Sequence, residues 1–159
     1  MFKKILILFF FILFVGCGFK PMHKLSENSI YVGSYSVEII NSVSREIVEE
    51  INTNIISGEN EKYKALLTID ENLTPLIINT NGTVAKYRIE ISIYYQLIKV
   101  DENEQISDGT VRGFAQYDVG TSEINNEDTK SSMIKIATKN ALQIMISKIQ
   151  SSISQVNVN

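Results

Sequence analysis

The sequence predicts an α+β fold: a two-layer sandwich in which a four-stranded, mainly antiparallel sheet carries two helices on one face, in the order β-α-β-β-β-α. Three observations predict it. Residues Val84 to Val100 alternate apolar and polar side chains over an unusually long stretch, the period-2 signature of a strand with one buried and one wet face. Two other stretches place their apolar residues at helical spacing. Short polar runs separate these segments and serve as turns.

In chain order, Ile30 to Ile39 is rich in β-branched and aromatic residues, with Tyr31, Tyr35, Val37 and Ile39 two apart, so it is expected to be a strand, and Gly33 within it marks a bulge. Between Ser42 and Ser57 the period changes. Val43, Ile47, Val48, Ile51 and Ile55 fall on one helical face, with Ser42 or Ser44 as cap and Gly58 as stop. Tyr63 to Ile69 alternates again, with Tyr63, Ala65, Leu67 and Ile69 inward. The long strand follows. Its seventeen residues at about 3.3 Å each would span about 56 Å, so it either bends or protrudes. Asp101 to Gln105 is a polar turn, and Gly109 to Val119 returns as the fourth strand, with Val111, Ala115 and Tyr117 on one face. A long helix from about Asp128 to Ser152 closes the domain. Ile134, Ala137, Ala141, Met145, Ile149 and Ile153 trace its stripe, widened by Leu142, Ile144 and Ile146, and so broad a face needs a sheet to cover.

The 159 residues fall into an apolar segment, 1–16, a tether, 17–29, one domain, 30–153, and a polar tail, 154–159. One domain of this size needs no disulfide or metal to hold it together. One Cys and one His cannot build a disulfide framework, a Cys/His zinc site or a Cys–His dyad, and a net charge of −3 argues against a nucleic-acid partner. His23 stands alone in the tether. The acidic pairs Asp70 with Glu71, Asp101 with Glu102 and Glu104, and Glu127 with Asp128 are placed at a strand end, a turn and a helix start, where solvated acids are ordinary. The glycines are scattered and form no phosphate loop. The sequence therefore offers no catalytic residue, metal site or cofactor site, and an enzyme is not expected. Tyr87, Tyr95 and Tyr117 fall on apolar faces, whereas Tyr94 shares the polar face with Lys86 and Arg88 and could contact a protein or an anionic glycolipid.

The first sixteen residues run from Lys3-Lys4 into the apolar stretch Ile5 to Val15, eleven residues and too short to span a bilayer, and end at Gly16, next to the lone Cys17. Leu13-Phe14-Val15-Gly16 before Cys17 resembles a bacterial lipobox, with Phe14 in place of the usual Leu. That resemblance implies cleavage before Cys17, diacylglycerol on its thiol and a further acyl chain, such as palmitoyl, on its amine. Two or three chains hold a protein to a membrane essentially permanently, at about 0.8 kcal/mol per buried CH₂. Gly18 occupies the position where Asp would signal inner-membrane retention, so the resemblance implies the periplasmic side of the outer membrane.

The start Cys17-Gly18-Phe19-Lys20-Pro21 then resembles the LptE family of lipopolysaccharide-assembly lipoproteins. The resemblance continues through Asn81-Gly82, Ala85, Tyr87, Tyr95-Gln96-Leu97, Gly113 to Tyr117, Ser122 and the last helix through Ile146 to Ile149. It implies the same sandwich, a plug seated in the lumen of an LptD-like β-barrel, help in assembling that barrel, and delivery of lipopolysaccharide to the outer leaflet. Family members are thought to touch lipopolysaccharide through basic residues before the long strand and before the last helix. Here Asn79 to Gly82 has none and Asn125 to Lys130 has only Lys130, so Lys86, Arg88, Arg112 and Lys130 are the remaining candidates, with Tyr94 beside them. The alternative is a stand-alone periplasmic lipid carrier, which would need an apolar cavity sized for acyl chains.

Overall fold

The computed structural model describes residues 35–55 and 62–156. The apolar segment 1–16, Cys17 and the tether with His23, the first half of the expected opening strand with Gly33, and Gly58 lie outside the described residues.

Within them the element order is as expected: β1 (Tyr35–Ile39), α1 (Arg45–Asn54), β2 (Tyr63–Ile78), β3 (Val84–Lys99), β4 (Glu104–Asp118) and α2 (Glu123–Val156). The sheet runs β1-β2-β3-β4. It is mainly antiparallel, as expected, with one parallel pair: β1 runs parallel to β2, Tyr35 opposite Tyr63 through Ile39 opposite Leu67. The cause is the connection: a crossover through α1 returns the chain to the same end of the sheet, whereas tight turns join the remaining strands antiparallel.

Ile47 and Ile51, one turn apart on α1, are buried, with Val43 and Ile55 packed at the rim of the core. Ser44 occupies the N-cap position but its hydroxyl makes no cap bond; it donates to Glu71 Oε2 on β2 at 3.0 Å. Lys135 of α2 reaches Glu49 at 2.9 Å and Ser131 donates to Glu46 at 3.1 Å, fastening the two helices side by side.

The inner sheet face and α2 make the core: Ala65, Leu67, Ile89, Ile91, Ile93 and Leu97 beneath Ala137, Ala141, Leu142, Met145 and Ile149. At Gly113 the two layers approach backbone to backbone. A Cβ there would lie 2.0 Å from Ala137 O and 2.5 Å from Ala141 N, so only glycine admits the helix at this depth. Thr138, one residue on from Ala137, is buried and satisfies its hydroxyl by donating to Ile134 O at 2.8 Å.

Four boundaries move. β2 does not stop at Ile69 but continues to Ile78, so Asp70 and Glu71 sit mid-strand. β4 begins at Glu104, and α2 gains a turn and more at its start and absorbs Ser154 to Val156 of the expected tail. Glu127 and Asp128 accordingly lie inside α2. Ile144, counted toward the buried stripe, is 46 % exposed, and Tyr87 is half-buried, stacked on Tyr117 with ring centroids 5.6 Å apart.

Candidate interaction surface

Alternation along β3 sends odd residues to the helices and even residues to the uncovered face. Lys86, Arg88 and Tyr94 are all even, and Arg112 lies opposite Ser92, so four of the five candidate residues share that face. Lys130 does not. It belongs to α2, in the other layer, and faces Glu127 at 3.8 Å.

The cations of this face are largely engaged. Lys86 Nζ is 3.1 Å from Asp118 and Arg112 Nε 3.2 Å from Glu90, both across the β3–β4 register. The Arg88 guanidinium lies 5.8 Å from the centroid of the Phe114 ring, a cation–π arrangement, while its Nε is enclosed without a hydrogen-bond partner among the described residues. Such pairs cancel charge locally, so the face is built for a mixed polar and aromatic contact rather than for an anion alone. Tyr94 and Phe114 supply the exposed rings. Phe114 went unnoticed in the sequence, although its even position on β4 gives it the same outward direction as Arg112.

A second surface carries no periodic signature in the sequence. From Asp70 onward β2 has left the cover of the helices, and Leu73, Leu76, Ile77 and Ile78 are exposed on the projecting hairpin, Ile78 the most at 61 %. The turn at its tip closes through Asn79 N–H to Thr83 O at 2.8 Å and Gly82 N–H to Asn79 O at 2.9 Å, with Gly82 in the left-handed region at φ +84°. Leu76-Ile77-Ile78 beside Pro75 was the available signal. Two open grooves lie on the helices: about 300 Å³ between β1 and α1, lined in part by Val37, Ile39 and Ile55, and about 420 Å³ on α2 at Asn140, Gln143, Ile144, Ser147 and Lys148. Among the described residues no group of His, Cys, Asp and Glu is placed to hold a metal, and no helix is long and apolar enough to cross a membrane.

No family model and no curated protein matches the chain by sequence. Solved structures do match by shape. A protein of Caulobacter crescentus CB15 assigned as a lipoprotein superimposes with a TM-score of 0.57 at 12 % identity, over 76 % of this chain and 92 % of its own. Rare lipoprotein B from Shewanella oneidensis gives 0.56 at 12 % identity, over 78 % of this chain and 97 % of that one. The fold is that of rare lipoprotein B. An uncharacterized lipoprotein B from Nitrosomonas europaea gives 0.52 at 11 % identity, over 76 % and 83 %. At such identities what is shared is the architecture: the mixed four-stranded sheet and its two helices.

Proposed function

We infer that the chain is a non-enzymatic outer-membrane lipoprotein of the LptE kind, anchored through acylated Cys17 on the periplasmic side. In this reading it seats as a plug in an LptD-like β-barrel, aids assembly of that barrel and helps deliver lipopolysaccharide to the outer leaflet. The observation that carries the reading is the fold shared with rare lipoprotein B over nearly the whole of that chain, joined to the Gly16-Cys17 junction that resembles a lipobox. The surface chemistry supports it. β2 and β3 are sixteen residues each, about 53 Å at 3.3 Å per residue, and their distal end presents apolar side chains beyond the helices, as an element reaching along a protein lumen requires. The outer face, with paired charges and two exposed rings, suits a partner wall better than bulk solvent. Direct contact with lipopolysaccharide, in this reading, falls to Lys86, Arg88, Tyr94 and Arg112 on the sheet face, with Lys130 separate on the helix layer.

The test is gentle detergent extraction of the full-length protein followed by affinity purification. A large outer-membrane β-barrel should co-purify in about equal amount. Isolation as a lone monomer carrying bound lipid would instead establish the stand-alone carrier.

A further inference from the structure

β1 stands at one edge of the sheet, with no described strand on its outer side. Ile40 N–H bonds to Leu67 O at 2.9 Å, which fixes the phase of the parallel pair: the even residues of β1 turn their backbone groups to β2, and Tyr35, Val37 and Ile39 turn theirs to the open edge. The same three side chains face the core, Tyr35 buried and Val37 and Ile39 half-buried at its rim. Beside them lies the groove of about 300 Å³ between β1 and α1. Its lining is aliphatic at Val37, Ile39, Ile51 and Ile55 and polar at Glu38 and Asn52. An aliphatic groove continuous with an open strand edge fits a strand whose inward residues are apolar.

The sequence just ahead of Tyr35 supplies one. Two runs of β-branched and aromatic residues, Ile30-Tyr31-Val32 and Tyr35-Ser36-Val37, are separated by Gly33-Ser34, and Gly followed by Ser is the signal of a two-residue hairpin turn with Gly at the positive-φ first position. Such a turn makes Val32 and Tyr35 a hydrogen-bonded pair, so Tyr35 must direct its N–H and C=O to the open edge. The phase set by Ile40 meets that requirement. The register follows: Tyr31 opposite Ser36, Ile30 opposite Val37, Ser29 opposite Glu38 and Asn28 opposite Ile39. Directly opposed residues share a face, which groups Val32 and Ile30 with the inward Tyr35 and Val37, and Tyr31 and Ser29 with the outward Ser36 and Glu38. A straight continuation of β1 back to Ile30 has no such support, because β2 begins at Tyr63, opposite Tyr35, and no described strand lies beyond it.

We propose that Asn28 to Val32 fold back at Gly33-Ser34, in place of the bulge expected at Gly33, and pair antiparallel with the open edge of β1, seating Ile30 over the groove between β1 and α1. The other stretch of chain beside the groove, residues 56–61, has to join the end of α1 to the start of β2, and six residues needed for that link leave too few to cross the groove and return. The pairing redirects the anchor. β1 runs parallel with β2 toward the projecting hairpin, so a strand antiparallel to β1 enters from the hairpin side, and Cys17, eleven residues before Asn28, leaves the fold at that end. Eleven residues reach at most about 40 Å, and β2 covers about 36 Å from Leu67 to Ile78, so the acylated end and the hairpin tip can stand level. That last step rests on the lipobox reading of Cys17; the pairing itself does not, and it asks nothing of a barrel.

A disulfide tests the register. Ser29 and Glu38 form an outward, non-hydrogen-bonded pair with Cα atoms about 4.5 Å apart, within reach of a disulfide, whereas in a straight strand nine residues would separate them by about 30 Å. In the purified full chain, acylated at Cys17, Ser29→Cys with Glu38→Cys should close within one molecule about ten-fold or more faster than Ser29→Cys with Ser36→Cys, a diagonal pair on the same face. Amide hydrogen exchange supplies the second measurement. The edge-directed amides of Val37 and Ile39 should exchange about ten-fold or more slowly than in Gly33→Val, which suits a straight strand and cannot make the turn. Equal closure of the two cysteine pairs overturns the proposal, as does exchange at Val37 and Ile39 unchanged by Gly33→Val. So does a disulfide between molecules that rises with concentration, the mark of a second copy, or protection of Val37 that survives deletion of residues 25–32, the mark of residues 56–61 or of another protein. A co-purifying barrel without closure of the Ser29 and Glu38 positions refutes this inference alone; closure without a barrel refutes the plug alone.

Discussion

Gly113 is the position where the two layers meet through backbone, and a single methyl group there has nowhere to go. Neither Ala137 O nor Ala141 N is the end of a flexible side chain, so α2 must lift from the sheet to admit it. Gly113→Ala is expected to lower stability by about 3 kcal/mol or more, the upper end of overpacking effects, read as a shift of the urea midpoint. Tyr35 makes a second residue-scale prediction. Burial pushes its phenol from 10.0 up to about 12. The folded chain thus holds that proton longer than the unfolded chain, so its contribution is intact below pH 10.0 and is lost as pH rises toward 12. Spectrophotometric titration should find one tyrosine ionising near pH 12, and Tyr35→Phe should remove it and flatten the alkaline limb of stability. Neither property was legible in the sequence: Gly113 stands between Arg112 and Phe114 like any strand glycine, and the alternation that places Tyr35 inward gives no measure of its enclosure.

The elements were read best where one face is dry. β3 alternates without a break because α2 or the core lies under nearly all of it, and its expected limits differ from the observed ones by one residue. The alternation of β2 ends at Ile69, where the helical cover ends, although the strand runs on to Ile78. Asp70-Glu71-Asn72 and Pro75 resemble a turn in composition, yet this half of the strand is wet on both faces and needs no apolar residues. Pro75 is tolerated because its absent N–H would have pointed to the open edge and not into the β2–β3 ladder. The parallel pairing of β1 was likewise invisible, since periodicity carries no direction. At the end of that pairing Asn41 is expected to matter more than its polar, half-exposed position suggests. Asn41→Ala removes two bonds to Ile69 and should cost about 2 kcal/mol, with faster hydrogen exchange at the Ile69 amide.

For the whole molecule, the class, the element order and the shared face of Lys86, Arg88 and Tyr94 followed from the sequence, whereas the projecting hairpin surface and the Phe114 side of the uncovered sheet face did not. Side-chain patterns report burial, and both missed surfaces are defined by what is not buried. The proposed lipid anchor concerns the chain as a whole: Cys17→Ala is expected to abolish both acyl labelling and cleavage before residue 17, and continued incorporation of radiolabelled palmitate would show the lipobox reading to be wrong. If Cys17 is the anchor, its place in the chain has a mechanical consequence. Tension from that anchor would enter the described residues at Tyr35, the first of a five-residue strand that, among them, pairs with β2 alone. The antiparallel meander of β2, β3 and β4 under α2 carries none of that load directly, so under tension β1 should part first, a short mechanical fuse between the lipid and the rest of the fold.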